Sequence, residues 1–209
     1  MFGIDNFGTF IFAAIIVVVT PGVDTIMVLT RSISNGQKAG LYSALGVSLG
    51  LIGHTCAATF GLSQVLAKSA IAFSTIKYLG AAYLIYLGYR SLSHRKAHLE
   101  ISSTTLKATP AKMFFTALMS DLLNPKIALF FLAFLPQFIS REESNNAIPY
   151  LVLGMCMFVI TLIWCSFLAL AGSSAANTFN KNKLFQNLIN KASGVVFILL
   201  GLKIALTKK

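Results

Sequence analysis

The sequence predicts an all-α integral membrane protein. Six transmembrane helices are expected, arranged as two inverted three-helix repeats, with the first and fourth helices broken. Three observations carry this. The 209 residues are 56% hydrophobic and only 11% charged, too little charge to cover a soluble domain of this size. Six apolar runs approach the ~20 residues that span a bilayer. Two runs, one in each half, are broken at proline with ionisable side chains close by. Charges at bilayer depth are costly and mark functional sites.

The first run, about Phe7 to Thr30, is interrupted by Thr20-Pro21-Gly22-Val23-Asp24. Pro21 removes a backbone donor and clashes with the preceding turn, and Gly22 adds freedom beside it. Backbone groups freed at membrane depth must face protein or a wet cavity. The half-helix restarting near Gly22 then aims its positive dipole end at that cavity.

The second run, about Ala39 to Leu62, holds Gly46, Gly50 and Gly53, a small-residue face suited to close helix contact. His54 follows on the same run and reads more readily as packing than as a proton relay. The third run, about Ser69 to Leu92, carries Lys77 and a stripe of Tyr83, Tyr86 and Tyr89. The stripe fits aromatic packing better than a cavity lining.

Residues 94–112 hold Arg95, Lys96, Lys107 and Lys112 beside a Ser/Thr cluster, and read as a cytoplasmic linker. The single domain, 1–209, thus divides into repeat one, about 1–93, and repeat two, about 113–209.

The fourth run, about Met113 to Phe138, is interrupted by Asp121-Leu122-Leu123-Asn124-Pro125-Lys126. The fifth runs from about Ile148 to Ala171 and the sixth from about Leu184 to Leu206. Setting Pro21 on Pro125, an offset of 104 residues, also aligns Phe10 with Phe114 and Gly50 with Gly154. Lys77-x-x-Gly80-x-x-Tyr83 further matches Lys191-x-x-Gly194-x-x-Phe197. A three-helix unit ends on the side opposite its start, so two in tandem must be inverted. Inverted repeats whose broken helices meet near the midplane characterise secondary transporters.

Asp24 and Lys126 then approach from opposite sides, an anion for the amine of a zwitterion and a cation for its carboxylate. Asp24 is also a candidate for proton uptake and release. Equally open are an Asp24–Lys126 ion pair, Asp24 capping the helix restart, and Lys126 snorkelling to an interface. Asp121 reads evenly as a coupling carboxylate or as a cap of the broken turn with Asn124.

The net charge is +11. Because the basic residues lie between apolar runs, they fit orientation and anionic lipid rather than nucleic acid. Ten Lys and Arg on connections one, three and five, against six on the other side, put the linker in the cytoplasm and both termini outside. The N-terminus does not read as a cleaved signal peptide. Cys56, Cys156 and Cys165 form no CxxC and read as packing residues. No cofactor or metal site is predicted. No glycine loop with Lys-Ser/Thr is present to cradle a nucleotide, and Ser173-Ser174 lacks a base nearby in sequence, so the chain is not expected to be an enzyme.

Thr20-Pro21-Gly22-Val23-Asp24, Arg31-Ser32, Gly36, Gly40, Gly46, Gly50 and His54 resemble the LysE/RhtB family of bacterial amino-acid exporters. So do Lys77 to Gly88 and the run Asn124-Pro125-Lys126 to Pro136-Gln137-Phe138. The resemblance implies a multi-pass inner-membrane protein that exports amino acids or close derivatives, in exchange for protons. Asp24, Asn124, Pro125, Lys126 and Lys77 occupy the family's motif positions. Val23 stands where the family carries a second proline, which leaves one backbone kink fewer. Thr25 stands where Asn is common, and Asp121 is an added carboxylate.

The leading expectation is a proton-coupled exporter of neutral or hydroxylated amino acids. With one membrane carboxylate needed for the amine and one for coupling, little is left to balance a cationic side chain. The alternatives are a metal or other cation exporter on the same scaffold, or a non-transport membrane subunit. The expected partners are the amino acid, protons and lipid. A homodimer is possible through the glycine faces, which equally suit packing within one chain.

Overall fold

The computed structural model describes residues 3–62, 70–93, 109–181 and 183–206. In chain order the elements are α1 (Phe7–Val19), α2 (Val23–Asn35), α3 (Gln37–Cys56) with a π-helical extension (Ala57–Leu62), and α4 (Ala70–Ser93). After these come α5 (Pro110–Leu122), α6 (Pro125–Phe134) running into a 3₁₀ turn (Leu135–Phe138), a second 3₁₀ turn (Arg141–Glu143), α7 (Ala147–Lys181) and α8 (Lys183–Leu206). No strand occurs among the described residues; a lone antiparallel bridge joins Ile4 to Ile139.

Both proline interruptions are real bends. α1 and α2 meet at 51°, and α5 and α6 at 48°. The absent second proline at Val23 therefore does not straighten the first break. The Val23 side chain faces outward, away from the packed interior. Among the described residues, 37–61 and 147–172 are each long and apolar enough to cross a membrane, which makes up to four candidate spans when each bent pair counts as one. α4 and α8 have 24 residues each.

Several predicted boundaries move. The first connection shrinks to Gly36, whose φ of 89° suits glycine. Arg31 thus lies inside α2 and is not a loop charge. The linker residues 94–108 lie outside the described residues, while 109–112 begin α5: the Thr109 hydroxyl caps it and Pro110 fills the first turn. Lys77 is buried within α4 and is not on an outer connection. Lys191 and Lys203 likewise belong to α8. The fifth run continues as helix to Lys181, but its apolar part ends at Gly172, a break with φ 42° and ψ −113°.

Packing relies on small residues, as it must where lipid tails are as apolar as the side chains. α3 lies against α5 along its glycine face. A Cβ on Gly46 would overlap the Phe114 carbonyl, and one on Gly50 would overlap Asp121 Oδ2. α4 and α8 interlock through Gly88, Gly194 and Gly201, each with a neighbouring carbonyl at 2.7–2.9 Å from its missing Cβ. These glycine faces are consumed within one chain. Phe10 of α1 joins Phe130, Phe134 and Phe138 in a buried aromatic cluster with ring centroids 4.5–6.5 Å apart, each pair worth roughly 0.5–1.5 kcal/mol beyond burial.

Candidate functional site

The two breaks meet. Thr20 and Pro21 end α1, whose last carbonyls have no helical partner. Lys126, in the first turn of α6, supplies one. Its ammonium donates to the carbonyls of Val17 at 2.9 Å and Thr20 at 3.3 Å, and lies 5.9 Å from the ring centroid of Phe197 on α8. Lys126 does not snorkel, and it forms no ion pair within 4.0 Å with Asp24 or Asp121. Two of its three ammonium protons are spent on α1.

Asn124 joins the breaks from the other direction. Its side-chain oxygen caps α6 by accepting from the Lys126 backbone N–H at 3.1 Å. Its amide donates to Asp24 Oδ2 at 2.9 Å. Asp24 sits in the first turn of α2, where the helix dipole favours a negative charge. Gly22, the N-cap of α2, has no side chain to cap with. A Cβ there would stand 3.7 Å from Lys126 Nζ, so the glycine leaves the ammonium approachable. The Thr20 hydroxyl shares a 2.6 Å hydrogen bond with Ser193 of α8, which fixes α8 to the first break.

Around this junction lies one cavity, lined by Thr20, Gly22, Asp24, Thr25, Asp121 and Lys126, with Thr161 and Cys165 from α7. A water's centre has about 20 Å³ to move in, room for one or two waters. Asp24 Oδ1, both Asp121 carboxylate oxygens and Thr161 Oγ1 are buried without a hydrogen-bond partner. His54, on α3, approaches Asp121 from outside this lining. Its Nε2 lies 3.0 Å from the Asp121 carbonyl and 3.8 Å from Oδ2.

Of the residues singled out in sequence, Asp24, Asn124, Asp121 and Lys126 thus gather with Pro21, Gly22, Pro125 and His54. Lys77 and Tyr83 do not line this cavity. Lys77 Nζ lies 4.8 Å from the Tyr78 ring centroid, and Tyr83 packs beside Tyr86 on α4. Thr161 and Cys165 were missed. They stand four apart on one helical face, and a hydroxyl inside an apolar span was the available signal. Thr25 was noted only as a departure from the family pattern, yet it lines the cavity.

At one end of the bundle, α2 and the start of α3 are tied across to their neighbours. Arg31 donates to the Met113 carbonyl at the start of α5 and to Ser43 Oγ at 3.1 Å. Ser32 donates to the Ala169 carbonyl at 2.5 Å and Gln37 to that of Leu170 at 2.9 Å, the carbonyls just before the Gly172 break.

The LysE type translocator family model matches residues 15–208. The chain belongs to that family. It is 35% identical over 202 residues to the uncharacterized membrane protein YrhP of Bacillus subtilis (strain 168), covering 93% of this chain and 95% of that one. It is 30% identical over 201 residues to the leucine efflux protein of Klebsiella pneumoniae subsp. pneumoniae, covering 94% and 93%. The leucine efflux protein of Salmonella choleraesuis is 28% identical over 197 residues, with 94% and 93% covered. No solved structure matches. The cavity above therefore lies within a LysE type translocator, related along most of its length to proteins named for leucine efflux.

Proposed function

We propose that this translocator exports neutral or hydroxylated amino acids from the cytoplasm, by exchange with protons, across a bacterial inner membrane. The observation that carries the reading is the cavity at the joined breaks. Asp24 turns an unpartnered oxygen into it, and Lys126 retains one ammonium proton beside Gly22. An α-amine is recognised by Asp24. An α-carboxylate is recognised by Lys126 together with the uncapped N-terminus of α2. The remaining wall is Val17, Val18, Val47, Leu51 and Ile127, with Thr25 and Thr161 as hydroxyls. Such a wall suits an aliphatic or hydroxylated side chain and offers a cationic one no further anion beyond Asp121.

In this reading all six helical units span: the two bent pairs, α3, α4, α7 and α8. The halves are inverted repeats, both termini lie outside, and the Arg31 end of the bundle faces the cytoplasm. The cavity is too small for an amino acid as it stands, so transport requires it to widen. Opening one end and then the other completes transport.

The decisive experiment is counterflow in proteoliposomes over the twenty amino acids, with and without a proton gradient. Exchange of a small neutral set, and its accumulation when a gradient is applied, is the expected result. Exchange of none, with protein shown to be folded, refutes the proposal. Reporter fusions within 94–108 and at both termini test the orientation.

A further inference from the structure

Asp121 is not accounted for by substrate recognition. Its carboxylate is 1% exposed, with neither oxygen hydrogen-bonded. His54 Nε2, at 3.8 Å from Oδ2, is beyond hydrogen-bond reach. That nitrogen is also committed elsewhere. It lies 3.0 Å from the Asp121 backbone carbonyl, which can only accept, so Nε2 carries its hydrogen and donates there.

The other titratable groups facing Asp121 give no direct relief. Asp24 on α2 has like charge, Lys126 on α6 is bound to α1 carbonyls with no ion pair within 4.0 Å, and Cys165 on α7 is a neutral thiol donor at most. A buried carboxylate with no donor is costly, and a carboxylic acid carries no charge to desolvate. The burial is conditional. Asp121 lies in the α3–α5 seam, where its carboxylate presses on the bare backbone of Gly50. Parting that seam exposes it.

Resting on the export reading above, we infer that Asp121, braced by His54, is the proton-binding carboxyl of the exchange, separate from Asp24, which holds the substrate amine. In the closed arrangement Asp121 is a carboxylic acid. When the seam parts toward the cytoplasm, its O–H bond breaks and the proton passes to water. When the site faces outward, the carboxylate takes a proton from water on that side, so one proton enters per cycle. No other bond is made or broken. His54, hydrogen-bonded to the backbone of the same residue, positions α5 against α3 and couples the seam to the carboxyl.

Infrared difference spectra of the purified, reconstituted protein across pH test this directly. Wild type and Asp24→Asn show the C=O stretch of a protonated carboxyl that disappears as pH rises. Asp121→Asn lacks it. In the same liposomes Asp121→Asn keeps amino-acid counterflow but loses accumulation driven by a proton gradient, whereas Asp24→Asn loses both. A band intact in Asp121→Asn, or gradient-driven accumulation equal to wild type, overturns the assignment. Loss of counterflow by folded Asp121→Asn also overturns it, because Asp121 would then be a substrate ligand. His54→Gln leaves both carboxyls in place. A shift of the same band with counterflow retained supports the bracing role, and an unshifted band removes it. Should wild type exchange no amino acid, the export reading fails, while the infrared band still decides whether Asp121 carries the proton.

Discussion

Asn124 performs two tasks, and substitution can separate them. Asn124→Ala removes the cap of α6, about 1 kcal/mol. It also removes a charge-assisted donor to Asp24, about 1.5–3 kcal/mol. Asn124→Asp keeps an oxygen for the Lys126 backbone N–H but withdraws the donor and sets two carboxylates face to face. Its cost is therefore at least that of the donor, about 1.5–3 kcal/mol, or about 3–12 °C in melting temperature at 2–4 °C per kcal/mol for a chain of this size, with the repulsion of the two carboxylates added to it. Adding Asp24→Asn reverses the hydrogen bond, since the amide then sits on α2 and donates to the carboxylate that caps α6. The double variant should regain most of the lost stability, with a coupling energy near the upper end of the 0.5–3 kcal/mol typical of residues in contact. Thermal scanning of the four proteins in detergent measures the cycle. Counterflow should stay absent in the double variant, because its carboxylate has moved from α2 to the mouth of α6. Additive destabilisation, with no coupling, would refute a direct Asp24–Asn124 bond and with it the joining of the two breaks.

Gly50→Ala should destabilise by about 1–3 kcal/mol through overpacking against Asp121, read as a lower melting temperature. Gly8→Ala, where nothing lies within 4 Å of the added Cβ, should be neutral or gain up to about 1 kcal/mol. Lys126→Met strips the donor from the Val17 and Thr20 carbonyls at about 1–3 kcal/mol for each buried acceptor left unpaired. Both melting temperature and counterflow should fall, and full counterflow would contradict the site. In a Cys56→Ser, Cys156→Ser background, a small thiol reagent should label Cys165 slowly. Arg31→Gln should speed that labelling and transported amino acid should slow it; rates unaffected by either would detach Cys165 from the transport path.

The sequence was legible where chemistry is local. Pro21 and Pro125 announce both bends, because a missing donor and a ring clash act on the adjacent turn whatever the fold. The glycine face of α3 was legible for the same reason, since only close approach gives such a face a use. Partners distant in the chain were not. Lys126 has no sequence-level reason to prefer the carbonyls of α1 over the carboxylate of Asp24. That choice follows from where α1 stops, and the carbonyls left by the break outcompete the anion for the ammonium. Arg31 was counted as a loop charge because a polar run before Ala39 looks like a connection. α2 absorbs that run and spends the guanidinium on α5. Thr161 gave only a weak signal because a lone hydroxyl in an apolar span usually bonds its own helix, as Thr55 does with the Leu51 carbonyl at 2.7 Å, and only the packed structure leaves it without a partner.

Five buried side-chain atoms among the described residues lack a hydrogen bond, and four of them, all but Trp164 Nε1, belong to Asp24, Asp121 and Thr161 around one cavity. Misfit scattered by imperfect packing would not collect there, so the concentration marks a place where polarity is reserved for something that arrives. Its arrival requires an opening, and the ties at the Arg31 end set the cost. Gly36 alone joins α2 to α3, so α2 must carry α3 with it or pivot on that glycine. Moving α2 together with α3 breaks the Arg31 bond to Met113 and the Ser32 and Gln37 bonds to α7. One charged bond at about 1.5–3 kcal/mol and two neutral ones at about 0.5–1.5 each come to roughly 2.5–6 kcal/mol. A minor state at that height is within reach of a ligand with ordinary differential affinity. Bringing a zwitterion to the unpartnered oxygen of Asp24 and an ammonium with one spare proton is the kind of interaction that supplies it. The ties are thus weak enough to yield to substrate and strong enough to hold the site shut between turnovers, the condition the proposed exchange needs if protons are not to leak through unaccompanied.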